Sequence, residues 1–301
     1  MPAANDVGSR GRENRTHVRR GGSWKRSDLA TASLAGLIDV APAPGEVCQD
    51  PVKRRHRCRG VTRVLRRVAE LDSLGELAVL EPPDCDRVAE AVLELRDSWT
   101  VRSPKGAFFT LGSNAYMDLA RAADPRTAYH RPAARANALL TRRFSDVYDM
   151  LATALGGAVG MPARYADDLA MPGFHIWTEA GIPRAADASV HFDLQYQRLL
   201  AEPAYAAATG TLSFTLPVRL PAAGSSLLVW PGFAYPADIS RLGCARGTAP
   251  VVVEYRPGRA LVHSGHVLHQ IGPTPTVRPG DLRIMLQGHG LVVAGELILY
   301  W

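Results

Sequence analysis

The second half of the chain is divided into short apolar runs, and this pattern restricts the possible folds more than any other feature. From about residue 165 onward, roughly eight such runs are separated by glycine and proline. They are PGFHIWTEA, SVHFDLQYQ, GTLSFTLPVRLP, SSLLVWPG, PVVVEYRPG, RALVHSG, LRIMLQGHG and GELILYW. Such runs are rich in the β-branched and aromatic residues that favour strands. The pattern predicts an eight-stranded jelly roll with helices packed outside it.

The region before these runs has mostly helical periodicity. VTRVLRRVAELDSLG and CDRVAEAVLELRDSW place apolar residues at helical spacing, and in the second segment Val88, Ala91, Val92 and Leu95 share one face. ELAVLEP and GAFFTLG are short strand candidates, whereas PAARANALLTRRFSDVYDMLATALGG predicts a long helix that stops at its glycine pair. We therefore expect one catalytic domain over residues 61–301, with helical support over 61–164 and a jelly-roll core over 165–301.

The first 60 residues differ in composition from the rest. The first 70 residues contain 15 Lys+Arg and seven Asp+Glu, whereas the remaining 231 contain 20 and 22, so the net charge of +6 comes from the N-terminal part. Such Arg-, Gly- and Pro-rich sequence predicts a disordered basic extension over residues 1–60. A nucleic-acid-binding arm is the alternative. Trp24 is the only aromatic residue there, which disfavours base stacking, so we do not expect a nucleic-acid partner.

Targeting signals and cysteine chemistry give little further information. The first 30 residues lack the apolar core of a signal peptide, and no stretch approaches the roughly 18–20 apolar residues of a membrane-spanning helix. A cytoplasmic protein is therefore expected. The four cysteines are too few and scattered for a secreted disulfide framework. Cys48, His56 and Cys58 form at most half a zinc site, because no second Cys/His pair follows at suitable spacing.

The segment SVHFDLQYQ contains a pair of candidate metal ligands. His191 and Asp193 are two residues apart, so in a strand both side chains point to the same face. A third ligand must come from another strand. His269, in HVLHQIGPTP, stands just before a Gly-Pro turn and is the preferred candidate. Two histidines and one carboxylate on one side of an iron ion leave three positions for other ligands.

Other histidines leave the third ligand open. His263, in the strand candidate RALVHSG, is the main rival to His269. His266 and His289 are interpreted as loop residues or as neighbours of the ligands. Each histidine taken alone is more often a structural residue, and the metal interpretation depends on their order along the chain.

An arginine follows the third candidate ligand. Arg283 is the second residue of LRIMLQGHG, where it shares one face of the predicted strand with Met285 and Gln287. A guanidinium in that position can form a bidentate pair with a buried carboxylate. Gln195, which has the parity of the ligand pair, and His175 are further candidates for contact with a cosubstrate. Gln287 is another, although each of the three can equally be a core polar group with a backbone partner.

This arrangement resembles the iron(II)/2-oxoglutarate-dependent dioxygenase superfamily. The matching residues are the HxD of His191 and Asp193, the distal His269 and the later Arg283. The resemblance implies a mainly β fold with α, a double-stranded β-helix of jelly-roll or cupin-like type with supporting N-terminal helices. It implies iron(II), 2-oxoglutarate as cosubstrate and dioxygen, which yield succinate, carbon dioxide and an oxidised small-molecule substrate. Related halogenases replace the carboxylate ligand, so Asp193 points to hydroxylation or a related oxidation.

Three other functions remain open from the sequence. The chain can be a cupin-type metal enzyme that does not use 2-oxoglutarate, although Arg283 disfavours this. It can be a non-catalytic β-barrel binding module, or a nucleic-acid demethylase that uses the basic extension. Trp230 and Phe233 are interpreted as packing residues, and Arg278 as an exposed residue of a proline-rich turn.

Overall fold

A computed structural model describes residues 74–103, 106–119, 129–200, 202–245 and 247–301. The predicted extension over residues 1–60, the half zinc site within it and most of the first predicted helix lie outside these residues. Within the described residues, no helix combines the length and apolar composition that crossing a membrane requires.

The structure consists of strands with a few helices. The strands are β1 (Gly75–Ala78), β2 (Thr100–Val101), β3 (Phe108–Leu111), β4 (Ala163–Tyr165), β5 (Gly173–Thr178), β6 (Gly210–Arg219), β7 (Ser226–Ala234), β8 (Val251–Glu254), β9 (Arg259–His263), β10 (Val267–Ile271), β11 (Leu282–Val293) and β12 (Glu296–Tyr300). The helices are α1 (Pro82–Glu94), α2 (Ala115–Asp118), α3 (Arg131–Val159), α4 (Tyr196–Leu199) and α5 (Leu242–Ala245), with 3-10 turns at Arg96–Ser98, Glu179–Gly181 and Ile239–Arg241.

These strands form two sheets. The larger has the order β1-β9-β6-β11-β5-β3-β2, and β12 and β4 extend it beside β11. The smaller has the order β10-β7-β8, and a bridge between His191 and His269 adds the His191 segment beside β10. Along the chain, β5, β6, β9 and β11 therefore lie in the larger sheet, and the His191 segment, β7, β8 and β10 lie in the smaller one. The chain passes from one sheet to the other after each of these strands except between β7 and β8. This alternation is the double-stranded β-helix expected from the sequence, as an open sandwich rather than a closed barrel.

Apolar side chains join the two sheets and attach the helices. Leu227 and Val253 of the smaller sheet share a core cluster with Leu261 and Met285 of the larger one. On the opposite face of the larger sheet, alternate residues of β5 and β11 pack against α1 and α3. The two faces follow from the two-residue period of a strand. Even-numbered positions of β5 and β11 face the helices, and odd-numbered positions such as His175 and Arg283 face the sandwich interior.

The predicted supporting elements are largely present. β1, α1, β3 and α3 form where the sequence predicts them, and Val88, Ala91 and Val92 are buried. The prediction that α3 stops at its glycine pair is wrong. The helix continues to Val159 and ends at Gly160, whose φ of 72° is the left-handed conformation that glycine accommodates at a helix end. The single domain over 61–301 and its division at residue 164 stay predictions, although β1 to β4 lie in the larger sheet.

The prediction of a strand at SVHFDLQYQ is also wrong in extent. Only His191 forms a β-bridge there, and α4 begins at Tyr196. The backbone at Gln195 has φ −60° and ψ −24°, so the chain has already turned toward the helical conformation. The segment therefore remains extended over the ligand pair alone. Conversely, β10, which carries His269, was not among the eight predicted runs, and it pairs with β7 in the smaller sheet.

Candidate active site

Backbone hydrogen bonds bring two of the predicted ligands side by side. The N–H of His191 donates to the carbonyl oxygen of His269 over 2.9 Å, and the N–H of His269 donates to the carbonyl oxygen of His191 over 3.0 Å. The two ring centroids are 4.5 Å apart. Two imidazoles that are 78 positions apart in the chain thus become neighbours at the edge of the smaller sheet.

Asp193 completes the cluster. Its N–H donates to the carbonyl oxygen of Gly265 over 2.8 Å, which holds it beside the two rings. Its Oδ1 is 3.6 Å from Nε2 of His191, and its Oδ2 is 3.8 Å from Nε2 of His269. One ligand atom from each of the three residues lies within 4.8 Å of the others, so the group could hold a metal ion.

Gly265 permits this close approach. Its φ is 85°, a conformation that residues with a side chain rarely adopt. A Cβ atom there would lie 2.9 Å from the carbonyl oxygen of Asp193 and 3.3 Å from Oγ of Ser213. The turn between β9 and β10 therefore requires glycine at the point where it supports the carboxylate ligand.

The tautomers of the two histidines suit metal binding. Nδ1 of His191 is 3.0 Å from the carbonyl oxygen of Ser189, and Nδ1 of His269 is 2.8 Å from that of Val267. Since a carbonyl oxygen only accepts, each Nδ1 must carry the hydrogen and donate it. Each Nε2 is then left with a free lone pair toward Asp193. Metal-binding histidines are commonly oriented by this type of contact.

His263 has the opposite tautomer. The backbone N–H of Gly265 donates to its Nδ1 over 3.0 Å, so in the neutral ring the hydrogen is on Nε2. Burial is the main cause that lowers the pKa of His263, to about 3, so the ring is neutral near pH 7. Its Nε2 is 3.9 Å from Oδ2 of Asp193. A protonated Nε2 faces a carboxylate but cannot bind a metal, which favours His269 over His263 as the third ligand.

The protonation states of the cluster also fit a divalent cation. Burial opposes ionisation of Asp193, but the surrounding imidazoles, His269 first and then His289, outweigh it and hold the pKa of the carboxyl well below its usual range. Burial, assisted by His269, lowers the pKa of His191. An ionised carboxylate beside the neutral ring of His191 is a form that binds metal without first releasing protons.

Arg283 lies on the interior face of β11, with none of its surface exposed. Its Nε donates to Oγ of Ser225 over 3.1 Å. Among the residues that the structure describes, Nη1 and Nη2 have no hydrogen-bond partner. Burial lowers the pKa of Arg283, although the Tyr255 hydroxyl acts in the other direction. A buried cation with two unpaired donor nitrogens destabilises the folded protein unless an anion binds it. A carboxylate matches the planar geometry of the guanidinium.

The remaining predicted site residues also lie inside the sandwich. Nε2 of Gln287 donates to Oγ1 of Thr215 over 3.0 Å, and the amide nitrogen of Gln195 is 2.8 Å from Nδ1 of His289. His175 is 4% exposed. Its Nε2 is 2.7 Å from the hydroxyl of Tyr116, and its Nδ1 has no partner within the described part of the chain.

Other interpreted residues are placed as follows. His289 lies on β11 next to Ser213, 3.0 Å from its hydroxyl, so it is a strand residue near the cluster. His266 lies in the turn between β9 and β10, 2.9 Å from the hydroxyl of Tyr196. Trp230 and Phe233 pack in one apolar cluster, and Arg278 is exposed, as the sequence predicts.

Several contacts of the site were missed by sequence reasoning. Tyr116 is carried by α2, whose first turn is capped by Asn114 and whose Asp118 pairs with Arg102 at 2.6 Å. Ser225 and Tyr255 meet Arg283 from the smaller sheet. The sequence carries no local signal for these contacts, because each depends on how the two sheets and α2 pack. The sequence GSNAYMDLA offered only a capping pattern, an asparagine just before a helical turn.

Comparison with known proteins was made on sequence and on structure. No known family model matches the sequence, and a search of curated proteins also finds no match. Solved structures do match. One is a novel N-substituted L-amino acid dioxygenase in complex with alpha-KG from Burkholderia ambifaria AMMD, with 11% identity, a TM-score of 0.48 and coverage of 78% of this chain and 90% of that chain.

Two further structures illustrate the range of these matches. AviO1 from Streptomyces viridochromogenes Tue57 has 15% identity and a TM-score of 0.44, over 77% of this chain and 98% of that chain. SnoK, a non-heme alpha ketoglutarate dependent carbocyclase from nogalamycin biosynthesis, has 12% identity and a TM-score of 0.40, over 74% and 80%. At these TM-scores and identities the chain is similar to these proteins without being assigned to their family.

Proposed function

We propose that this protein is an iron(II)- and 2-oxoglutarate-dependent oxygenase of a small-molecule substrate. His191, Asp193 and His269 are the proposed iron ligands, and Arg283 is the proposed anchor of 2-oxoglutarate. The observation that carries the proposal is that two features, a candidate metal site and an unpaired arginine, lie inside the same sandwich. Two histidines direct Nε2 toward an ionised carboxylate, and a buried guanidinium has two donor nitrogens without a partner among the described residues.

The residues fit the cofactors that the proposal requires. Two imidazoles and one carboxylate are the donor set of non-haem iron(II) oxygenases, and they leave positions for a chelating cosubstrate and for dioxygen. Bound iron(II) would supply the activation of dioxygen, coupled to conversion of 2-oxoglutarate to succinate and carbon dioxide. The carbonyls of Ser189 and Val267 hold the two rings in the ligating tautomer. Arg283 binds the far carboxylate of the cosubstrate in a site from which water is excluded.

Finer parts of the proposal follow from the same site. Because Asp193 is present, hydroxylation or a related oxidation is the proposed outcome. His175, Gln195 and Gln287 are proposed to contact the cosubstrate or the substrate from the interior face. Residues 71–301 contain 20 basic and 22 acidic residues, which favours a small molecule over a polymeric nucleic acid. A cytoplasmic location remains part of the proposal.

The test is anaerobic addition of iron(II) and then 2-oxoglutarate to the purified protein. We expect a visible charge-transfer band that needs both components. His191→Ala and Asp193→Ala should abolish the band, whereas His130→Ala should retain it. His130 is the matched control, since it is a histidine whose Nδ1 contacts the carbonyl oxygen of Asp168, away from the cluster. Absence of the band in the folded wild-type protein would refute the proposal.

The same experiment separates the proposal from its alternatives. A cupin-type enzyme without 2-oxoglutarate would bind iron but show no 2-oxoglutarate band and release no succinate. A non-catalytic binding module would lack iron affinity altogether. Arg283 favours the 2-oxoglutarate enzyme over both, because neither alternative explains a buried cation that has no acidic partner in the described part of the chain.

A further inference from the structure

We propose that Trp177 is a positioning residue that holds the Arg283 guanidinium in the orientation that binds the far carboxylate of the cosubstrate. This inference rests on the proposed function and extends it. It explains how an arginine side chain with several rotatable bonds can present a fixed pair of donors. It also predicts that the site selects its dicarboxylate by length.

The first evidence is a row of three side chains across the larger sheet. Phe108 of β3 pairs with Trp177 of β5, and Trp177 pairs with Arg283 of β11. The rings of Phe108 and Trp177 are stacked, with centroids 4.6 Å apart and an interplanar angle of 16°. Cζ of Arg283 lies 4.3 Å from the Trp177 centroid. Trp177 is therefore fixed between its neighbours and places an aromatic face against the cation.

The second evidence comes from the smaller sheet. Ser225, just before β7, accepts the hydrogen bond from Nε of Arg283, and the Tyr255 ring, just after β8, lies 5.5 Å from Cζ. The N–H of Tyr255 donates to the carbonyl oxygen of Ser225 over 3.0 Å, so these two residues are held together. The guanidinium thus spans the sandwich and is restrained from both sheets. Of the three guanidinium nitrogens, Nη1 and Nη2 have no hydrogen-bond partner among the described residues.

This restraint has two consequences for binding. A guanidinium that is already oriented loses little conformational entropy when the carboxylate binds, so affinity increases without a new contact to the ligand. A fixed guanidinium also sets the distance between the anchor and the metal cluster. A dicarboxylate one methylene longer or shorter than 2-oxoglutarate should then bind less well.

The test measures binding of 2-oxoglutarate and of 2-oxoadipate, which is one methylene longer, to the iron(II) protein by anaerobic calorimetry. Trp177→Leu removes the aromatic face but remains apolar, and Trp177→Phe retains a ring. Trp99→Leu is the matched control, because Trp99 also contacts a phenylalanine, Phe109, and an arginine, Arg96, but lies outside the site.

We expect Trp177→Leu to raise the Kd for 2-oxoglutarate by up to about tenfold, the size expected when one long side chain has to be ordered on binding. Its preference for 2-oxoglutarate over 2-oxoadipate should fall by about threefold or more, because a mobile guanidinium accepts more than one length. Trp177→Phe should restore most of both values, and Trp99→Leu should change neither.

An unchanged Kd and an unchanged length preference in folded Trp177→Leu would overturn the inference, as would an equal loss in Trp99→Leu. If Trp177→Leu does not fold, Ser225→Ala tests the orientation of the Arg283 guanidinium from the other sheet. An unchanged Kd for 2-oxoglutarate in that variant would contradict the inference. Failure of the proposed function gives a different result, since the wild-type protein itself would then not bind 2-oxoglutarate.

Discussion

The proposed metal cluster and the proposed Arg283 anchor are both polar and lie inside the sandwich, but they differ in how their polar atoms are satisfied. In the metal cluster, backbone carbonyls occupy Nδ1 of His191 and of His269, and the carboxylate of Asp193 faces imidazole rings. At the anchor, the guanidinium of Arg283 has one hydrogen bond and two aromatic contacts. Its charge has no acidic partner among the described residues.

This difference indicates two ways of preparing a binding site. The proposed metal cluster is arranged by backbone geometry, and its Nδ1 atoms and its carboxylate already have polar neighbours before a cation binds. The anchor is arranged by aromatic packing and retains an unbalanced charge that an anion can neutralise. Loss of a metal ligand should therefore mainly affect metal affinity, whereas loss of the Arg283 charge should affect cosubstrate binding and protein stability in opposite directions.

The largest expected effect concerns the third metal ligand. His269→Ala should weaken iron(II) binding by at least about 100-fold, more than loss of an outer partner usually costs. His263→Asn should weaken it by less than about tenfold, because the amide oxygen can still accept from the Gly265 N–H. Metal titration under anaerobic conditions measures both. Equal losses in the two variants would contradict the tautomer assignment and return His263 as a candidate ligand.

The second effect distinguishes the anchor from the metal cluster. Arg283→Met should weaken 2-oxoglutarate binding about 100-fold, as expected when one partner of a buried charge pair is lost. Without cosubstrate, the same change should raise the free energy of unfolding by about 1–2 kcal/mol, because it removes an unpaired buried charge.

Chemical denaturation with and without 2-oxoglutarate measures the stability part of this prediction. Arg219→Met serves as the control, since Arg219 pairs with Glu90 at 3.0 Å on the surface and should change stability little. A clear loss of stability in Arg283→Met without metal and cosubstrate would contradict this prediction. It would mean that the charge of Arg283 is already compensated in the folded protein.

The smallest expected effect concerns His175, which lies on the interior face between the two regions. Burial, followed by the charges of Arg283 and Arg102, holds the pKa of His175 well below its usual value. The unfolded chain therefore binds a proton near pH 6.5 that the folded chain does not, so stability is full above this pH and falls as pH decreases.

His175→Gln should remove this contribution. The free energy of unfolding of the wild-type protein should fall with decreasing pH below about 6.5 by about 1.4 kcal/mol per pH unit more than that of the variant. Denaturation curves between about pH 7.5 and 5 measure the difference. Parallel pH profiles would mean that His175 titrates alike in the folded and unfolded chain.

The sequence predicted much of the fold because strand and helix periodicities are local. The face of α1, the strand at Phe108–Leu111 and most strands after residue 165 follow from patterns of a few residues. The strand predicted at SVHFDLQYQ is longer than the extended segment in the structure, and the difference has a physical reason. Its alternation continues through Gln195, but its only pairing with β10 is the bridge at His191. Asp193 then bonds to Gly265 in the turn before β10, and the chain turns into α4.

In the candidate site, too, the local features were predictable from the sequence and the contacts between distant segments were not. The sequence by itself predicted the candidate ligand pair His191 and Asp193, since two-residue spacing places both on one side of an extended chain. It also determined that Arg283 has the parity of the interior face. The sequence preferred His269 to His263 only by its place before a Gly-Pro turn. The tertiary structure adds a physical reason for that proposal, because Nδ1 of His269 faces a carbonyl oxygen and Nδ1 of His263 faces an N–H. Strand pairing within the larger sheet brought Trp177 beside Arg283. The packing of the two sheets brought Ser225 and Tyr255 to the same guanidinium, since contacts between distant segments leave no periodic pattern in the chain.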